Sequence, residues 1–169
     1  MVIPIFFTSH WFLSLFSQTF FLHRYSAHQM FTMNKFWERF FHLFTFISQG
    51  SSYLNAHGYA ILHRLHHEHS DTKEDPHSPR YFKTVFGMMW ETKKMYGDLI
   101  MNKVNVKPAL LKNIPQWNLL EKIGNSWATR IAWGTVYVIF YLIFSPSGWF
   151  FLLLPIHFLM GPIHGAIVN

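Results

Sequence analysis

Residues 2–22 and 149–168 each run for about twenty positions without an Asp, Glu, Lys or Arg, and this feature restricts the fold more than any other. Crossing a bilayer core takes about 20 mostly apolar residues. A backbone in hydrocarbon must satisfy its own hydrogen bonds, so such segments are expected to be helices. A third apolar segment, 128–144, reaches span length if Arg130 carries its guanidinium out to the headgroups. The turn Ser145-Pro146-Ser147-Gly148 joins the last two spans as a helical hairpin. The first segment lacks the basic start and small-residue cleavage site of a signal peptide, and reads as a retained span. Composition agrees: half the residues are hydrophobic, a fifth aromatic, and only 13% charged, against about a quarter in soluble domains. The expected fold is therefore an all-α integral membrane protein, with about three transmembrane helices plus interfacial amphipathic helices.

Charge sets the expected orientation. Thirteen of the 14 Lys and Arg, and all eight Asp and Glu, fall between His23 and Lys122. The positive-inside rule places the segment 23–126 in the cytoplasm. The N-terminus then faces outward, and the final hairpin returns Asn169 to the side that holds His23 and His63. Lys93, Lys94, Lys103 and Lys107 give this face a basic character suited to an anionic partner, and equally to ordinary membrane-surface charge. A lipid bilayer is an expected partner and a nucleic acid is not.

Within the polar segment, Asn34 can cap a helix from Lys35, and Phe36, Phe40, Phe41, Phe44 and Ile47 follow helical spacing. Gln49 to Ser52 and Asn55 are too polar for a lipid-exposed span, so an interfacial helix whose end delivers His63, His66 and His67 is expected. Residues 70–79 read as a surface loop. Tyr81 to Tyr96 read as a second interfacial helix. From Gly97 to Asn125, Pro108 and Pro115 argue against one continuous helix.

The chemistry rests on imidazole. With no cysteine, disulfides, iron–sulfur clusters and thiolate metal sites are excluded, and any metal must be held by nitrogen and oxygen. Two clusters stand out: His23-Arg24-Tyr25-Ser26-Ala27-His28 and His63-Arg64-Leu65-His66-His67. Neutral imidazole is a strong ligand for iron, zinc and copper. On a helix His63 and His67 share a face, while His66 is turned about 100° away toward a neighbouring position. His23 and His28 are roughly 140° apart on an ideal helix and converge only if that helix ends or distorts. His10, His42, His57 and His69 are expected to be structural or solvated. An HExxH zinc site is absent, because Asp71 stands where its second histidine would be. His10, His157 and His164 lie in apolar spans, where they could serve as axial ligands of a b-type haem or as polar packing.

These residues resemble the membrane-bound fatty acid desaturases, specifically the acyl-CoA delta-9 (stearoyl-CoA-like) branch, over essentially the whole chain. The two clusters resemble the first and second histidine boxes. Asp75-Pro76-His77-Ser78 is similar to the loop after the second box, with Trp90 where that loop leads into a membrane-facing helix. Residues 160–169 resemble a helix end bearing a metal-associated Asn. The resemblance implies a non-haem diiron centre with no catalytic residues beyond the metal ligands. His23, His28, His63 and His67 would serve one iron and His66 the other, with Asn169 reached through water. It also implies O2 as co-substrate, a fatty acyl-CoA or other acyl-lipid substrate, and an external ferredoxin- or cytochrome-type electron donor. Insertion of a cis double bond is the implied reaction; a fatty acyl or alkane hydroxylase on the same scaffold is the neighbouring reading. The family pattern continues beyond Asn169 with a further histidine and a third HxxHH box, so the single domain 1–169 is expected to be a C-terminally truncated part of the site. A truncated desaturase fragment that binds one metal weakly or none is the remaining reading.

Overall fold

The computed structural model describes residues 1–75 and 78–168, and every regular element among them is helical. In chain order the α-helices are α1 (Val2–Ser17), α2 (Lys35–Gln49), α3 (Ala56–His69), α4 (Val85–Ile100), α5 (Asn118–Asn125), α6 (Trp127–Phe144) and α7 (Leu154–Val168). A π-helix, Gln18–Ala27, continues α1. The chain divides into two units.

The first unit comprises residues 1–21, 33–54 and 117–169. By length and composition, α6 and the 20-residue run Gly148–Ile167 are apolar enough to cross a membrane. The first apolar segment differs from expectation: α geometry holds for 16 residues and gives way at Gln18. At 1.5 Å per residue the α part is about 24 Å long, and the π-helix carries the segment on toward the roughly 30 Å of a hydrocarbon core. Ile3, Tyr137, Tyr141 and Leu154 are the buried centre of this unit, flanked by Phe6, Trp133 and Phe140.

Through that centre runs a chain of polar contacts. Tyr141 Oη lies 2.8 Å from His157 Nε2, and His157 Nδ1 lies 2.6 Å from His10 Nδ1. Ser14 Oγ meets His164 Nδ1 at 3.2 Å. The His10 and His157 rings stack with centroids 4.8 Å apart, leaving no room for a macrocycle between them. Of the two roles open to these histidines, polar packing is the one the geometry favours: each ring satisfies a neighbour inside an apolar bundle.

Asn34 caps α2 as expected, its side chain accepting from the Trp37 N–H. The helix does not reach the second histidine cluster. It stops at Gly50, whose φ of +52° combined with ψ of −120° is a backbone conformation that glycine adopts freely and residues with a Cβ do not. A Cβ there would lie 1.7 Å from Tyr137 Oη. Arg130, expected to snorkel, instead donates to the carbonyls of Ser51 and Tyr53, both at 2.9 Å. Those carbonyls lie just past the end of α2, where the chain's own helical donors run out, and the guanidinium pairs with both rather than reaching for the headgroups. Gly161 of α7 packs against the same turn: a Cβ would meet Ser52 O at 2.4 Å. Gly50→Ala is expected to lower the thermal midpoint of the purified protein, by strain of about 1–3 kcal/mol at a left-handed residue plus the Tyr137 clash. Adding Tyr137→Phe should recover only the clash component. An unchanged midpoint for Gly50→Ala would refute the turn's assigned role.

The second unit comprises residues 22–32 and 55–116. Asn55 starts α3 as a new helix: its Oδ1 accepts from the Gly58 N–H at 2.8 Å, and its own N–H donates to Tyr96 Oη at 2.6 Å. Gly58 lets α4 approach, since a Cβ there would meet Ile100 at 2.8 Å and Tyr96 at 2.9 Å. Tyr59, Ala60, Ile61 and Leu99 are buried. α4 begins four residues later than its sequence pattern suggests, because Thr84 accepts from the Gly87 N–H and fixes the start. As the prolines imply, 97–125 is not one helix; a 3-10 turn, Pro108–Leu111, lies in this unit.

Candidate metal centre

Both histidine clusters belong to the second unit, and each is shaped by a local backbone feature. The first sits on the end of the π-helix, where the His28 N–H bonds to the His23 carbonyl at 3.0 Å. This i→i+5 pitch carries residues five apart to nearly one face. It supplies the distortion that the 140° offset of an ideal helix required, and the His23 and His28 rings stand 4.6 Å apart. The end is fixed by Gln29 at φ +54° and by the Met30 N–H bonding to the Arg24 carbonyl at 3.0 Å.

The second cluster occupies the last turns of α3. His63 and His67 lie one turn apart with Nε2 atoms at 3.1 Å. His63 Nε2 is also 2.9 Å from His28 Nε2. Ligand atoms of His23, His28 and His63 all fall within 4.8 Å of one another. Two nitrogens on one ion at about 2.1 Å, subtending roughly 90–109°, sit about 3.0–3.4 Å apart, so the observed spacings suit a shared cation. One proton on His63 Nε2 can serve only one of its two nitrogen neighbours, whereas a cation would serve all of them. His23 Nδ1 is a buried nitrogen with no hydrogen-bond partner. An all-imidazole set of this kind fits iron, zinc or copper.

His66 points elsewhere, as its 100° offset requires. Its ring centroid is 6.3 Å from that of His63, and its Nδ1 is 2.8 Å from Asp75 Oδ1. Asn169 lies outside the described residues. His42 Nε2 lies 3.5 Å from Glu121 and His69 Nδ1 lies 3.4 Å from Glu74, so each of these histidines faces a carboxylate rather than the cluster.

Sequence reasoning passed over Arg64, which joins the two clusters. Its Nε donates to Ala27 O at 2.8 Å and Nη2 to Ser26 O at 2.9 Å. Nη1 donates to Leu110 O at 2.7 Å and Lys112 O at 2.9 Å. The only sequence signal was its place inside the second cluster, on the side of α3 away from His66. Asp75 was visible as part of a loop motif, but its contact with His66 was not.

Burial, reinforced by the nearby positive charges of His28, His67 and Arg24, holds the His23 imidazole below its ordinary value of 6.5. Burial, with His67 and Arg64, does the same for His28. Both rings therefore stay neutral as pH falls to 6.5, and only neutral imidazole binds metal. Because the folded values lie below the unfolded value, these rings contribute stability that is present above pH 6.5 and lost as pH falls through the lowered values. Replacing His23 by Ala should therefore leave the pH dependence of Co2+ affinity, measured at constant ionic strength, unchanged between pH 8 and 7 and alter it only below pH 6.5. A change already present above pH 7 would contradict this arrangement.

No family model, curated protein or solved structure matches the chain.

Proposed function

We propose that the chain carries the first two histidine boxes of an O2-dependent fatty acyl desaturase of the membrane, acting on acyl-CoA or another acyl lipid at a histidine-ligated diiron centre. The observation that carries this reading is the convergence of two distant histidine boxes through their Nε2 atoms, His28 to His63 at 2.9 Å and His63 to His67 at 3.1 Å. Imidazole-bound iron, when present, supplies the oxidising power that an unactivated methylene pair demands. The overall change balances as –CH2–CH2– plus O2, two electrons and two protons giving –CH=CH– and two waters. The chain's own residues position and insulate. His23, His28, His63 and His67 would hold one ion, and His66 with Asn169 the other. Tyr59 stacks on the His63 ring with centroids 5.9 Å apart, covering one of its faces. Electrons would come from a ferredoxin- or cytochrome-type donor.

Membrane residence is part of the proposal: spans at 2–22, 128–144 and 149–168, with the histidine boxes toward the cytoplasm. Exposed Ile131, Leu142 and Ile143 on α6 suit lipid contact. Exposed Phe36, Phe40 and Ile47 on α2, and Phe86 and Trp90 on α4, suit the interface. Lys93 Nζ lies 4.9 Å over the Trp90 ring, a pairing typical of the headgroup layer.

The test is product analysis in membranes holding the chain, iron, a reduced ferredoxin and a deuterium-labelled stearoyl-CoA. The expected product has lost two hydrogens and carries a cis double bond. A saturated, hydroxylated product would replace desaturase with hydroxylase, and unchanged substrate would contradict the proposed activity of this chain.

A further inference from the structure

The geometry points to Asp75 as a positioning residue that fixes the His66 imidazole as an Nδ1–H tautomer and so presents Nε2 to a second metal ion. This rests on the metal reading above. Asp75 lies in the loop after α3, and its carboxylate is fully shielded from solvent. Oδ1 is 2.8 Å from His66 Nδ1, and Oδ2 accepts from the Asp71 N–H at 3.2 Å. An ionised carboxylate only accepts hydrogen bonds, so the proton between the two groups belongs to Nδ1. The lone pair then resides on Nε2, the nitrogen remote from the carboxylate. A carboxylate behind a ligating histidine also raises the basicity of the ring.

The loop is built to hold that carboxylate in place. The Thr72 N–H bonds to His69 O at 2.9 Å and the Asp75 N–H to Thr72 O at 3.2 Å. Asp71 adopts φ +61°, and its carbonyl accepts from Tyr81 Oη at 2.8 Å. Ser70 Oγ donates to His66 O at 2.7 Å, tying the last turn of α3 to the same loop. His66 is thus oriented by a rigid acceptor, whereas His28, His63 and His67 are oriented by one another.

The test compares the full chain with Asp75→Ala and Asp75→Asn, using 15N shifts of the histidine rings and Co2+ titration. Wild type is expected to show His66 protonated at Nδ1. Asp75→Ala should release that tautomer, and Asp75→Asn, which keeps an acceptor oxygen, should largely retain it. Co2+ should bind in a tight step, abolished by His63→Ala, and a weaker step that Asp75→Ala weakens about 10–100-fold. Asp75→Asn should fall between the two, which a merely structural loop contact would not produce. His66 protonated at Nε2 in wild type, or a weaker step indifferent to Asp75→Ala, would overturn the Asp75 assignment alone. Loss of both steps in Asp75→Ala would reduce Asp75 to a folding role and overturn it too. A wild-type chain that takes up no Co2+ would overturn the metal reading and this inference together.

Discussion

Replacing His63 by Ala is expected to abolish tight metal binding while leaving the helical content intact. His63 is the hub of the site: its Nε2 faces both His28 and His67, and its ring lies 4.5 Å from that of His23. Removing it deletes a donor and also takes away the imidazole that His28 Nε2 meets on α3, while the Arg64 bonds to Ser26 O and Ala27 O remain. The loss should exceed the roughly 10–100-fold seen on removal of an outer partner of a metal ligand. Helicity should survive because α3 is nucleated at Asn55, two turns away, and because alanine is the best helix former. Far-ultraviolet circular dichroism paired with a chelator-competition titration separates the two effects. An affinity within threefold of wild type would remove His63 from the site.

Arg64→Ala should have the largest effect on stability. One guanidinium serves four carbonyls on two separate segments, and the substitution takes that donor from all four, with Lys112 O alone keeping a side-chain partner in Gln29 Nε2. Each charge-assisted bond is worth about 1.5–3 kcal/mol, and because they share one group they do not add. A loss on the order of 4 kcal/mol is expected, a large share of the roughly 5–15 kcal/mol that holds a domain together. Hydrogen exchange should quicken in residues 22–32 and 108–113, and metal affinity should fall as His28 loses its fixed place. Arg64→Lys should rescue little, since a single ammonium cannot span the fork. Unchanged exchange in both segments would show that the clusters are held together some other way.

The parts of the fold written in periodicity and capping were legible from the sequence. Asn34 announced α2, the apolar run 128–144 announced α6, and Ser145–Gly148 announced the turn after it. Breaks set by tertiary contact were not legible. Gly50 ends α2 because Tyr137, 87 positions later, comes within reach. Arg130 turns inward because two carbonyls at that same break need donors. At the site, the helical offset of His66 from His67 was readable as an angle, and the structure gives it a separate partner. The convergence of His23 with His28 was conditional on a distortion, and no local rule identifies a π-helix from Gln18 to Ala27. Arg64 was hidden because its partners are backbone carbonyls, which carry no mark in the sequence.

Whether the two histidine boxes form one metal centre is tested most directly by X-ray absorption at the iron edge of the Fe2+-loaded chain. A single centre gives a shell dominated by nitrogen at about 2.1 Å with the outer scattering pattern of several imidazoles, lost in His63→Ala. Iron that washes out under mild chelation, or a shell of oxygen without imidazole scattering, would contradict it.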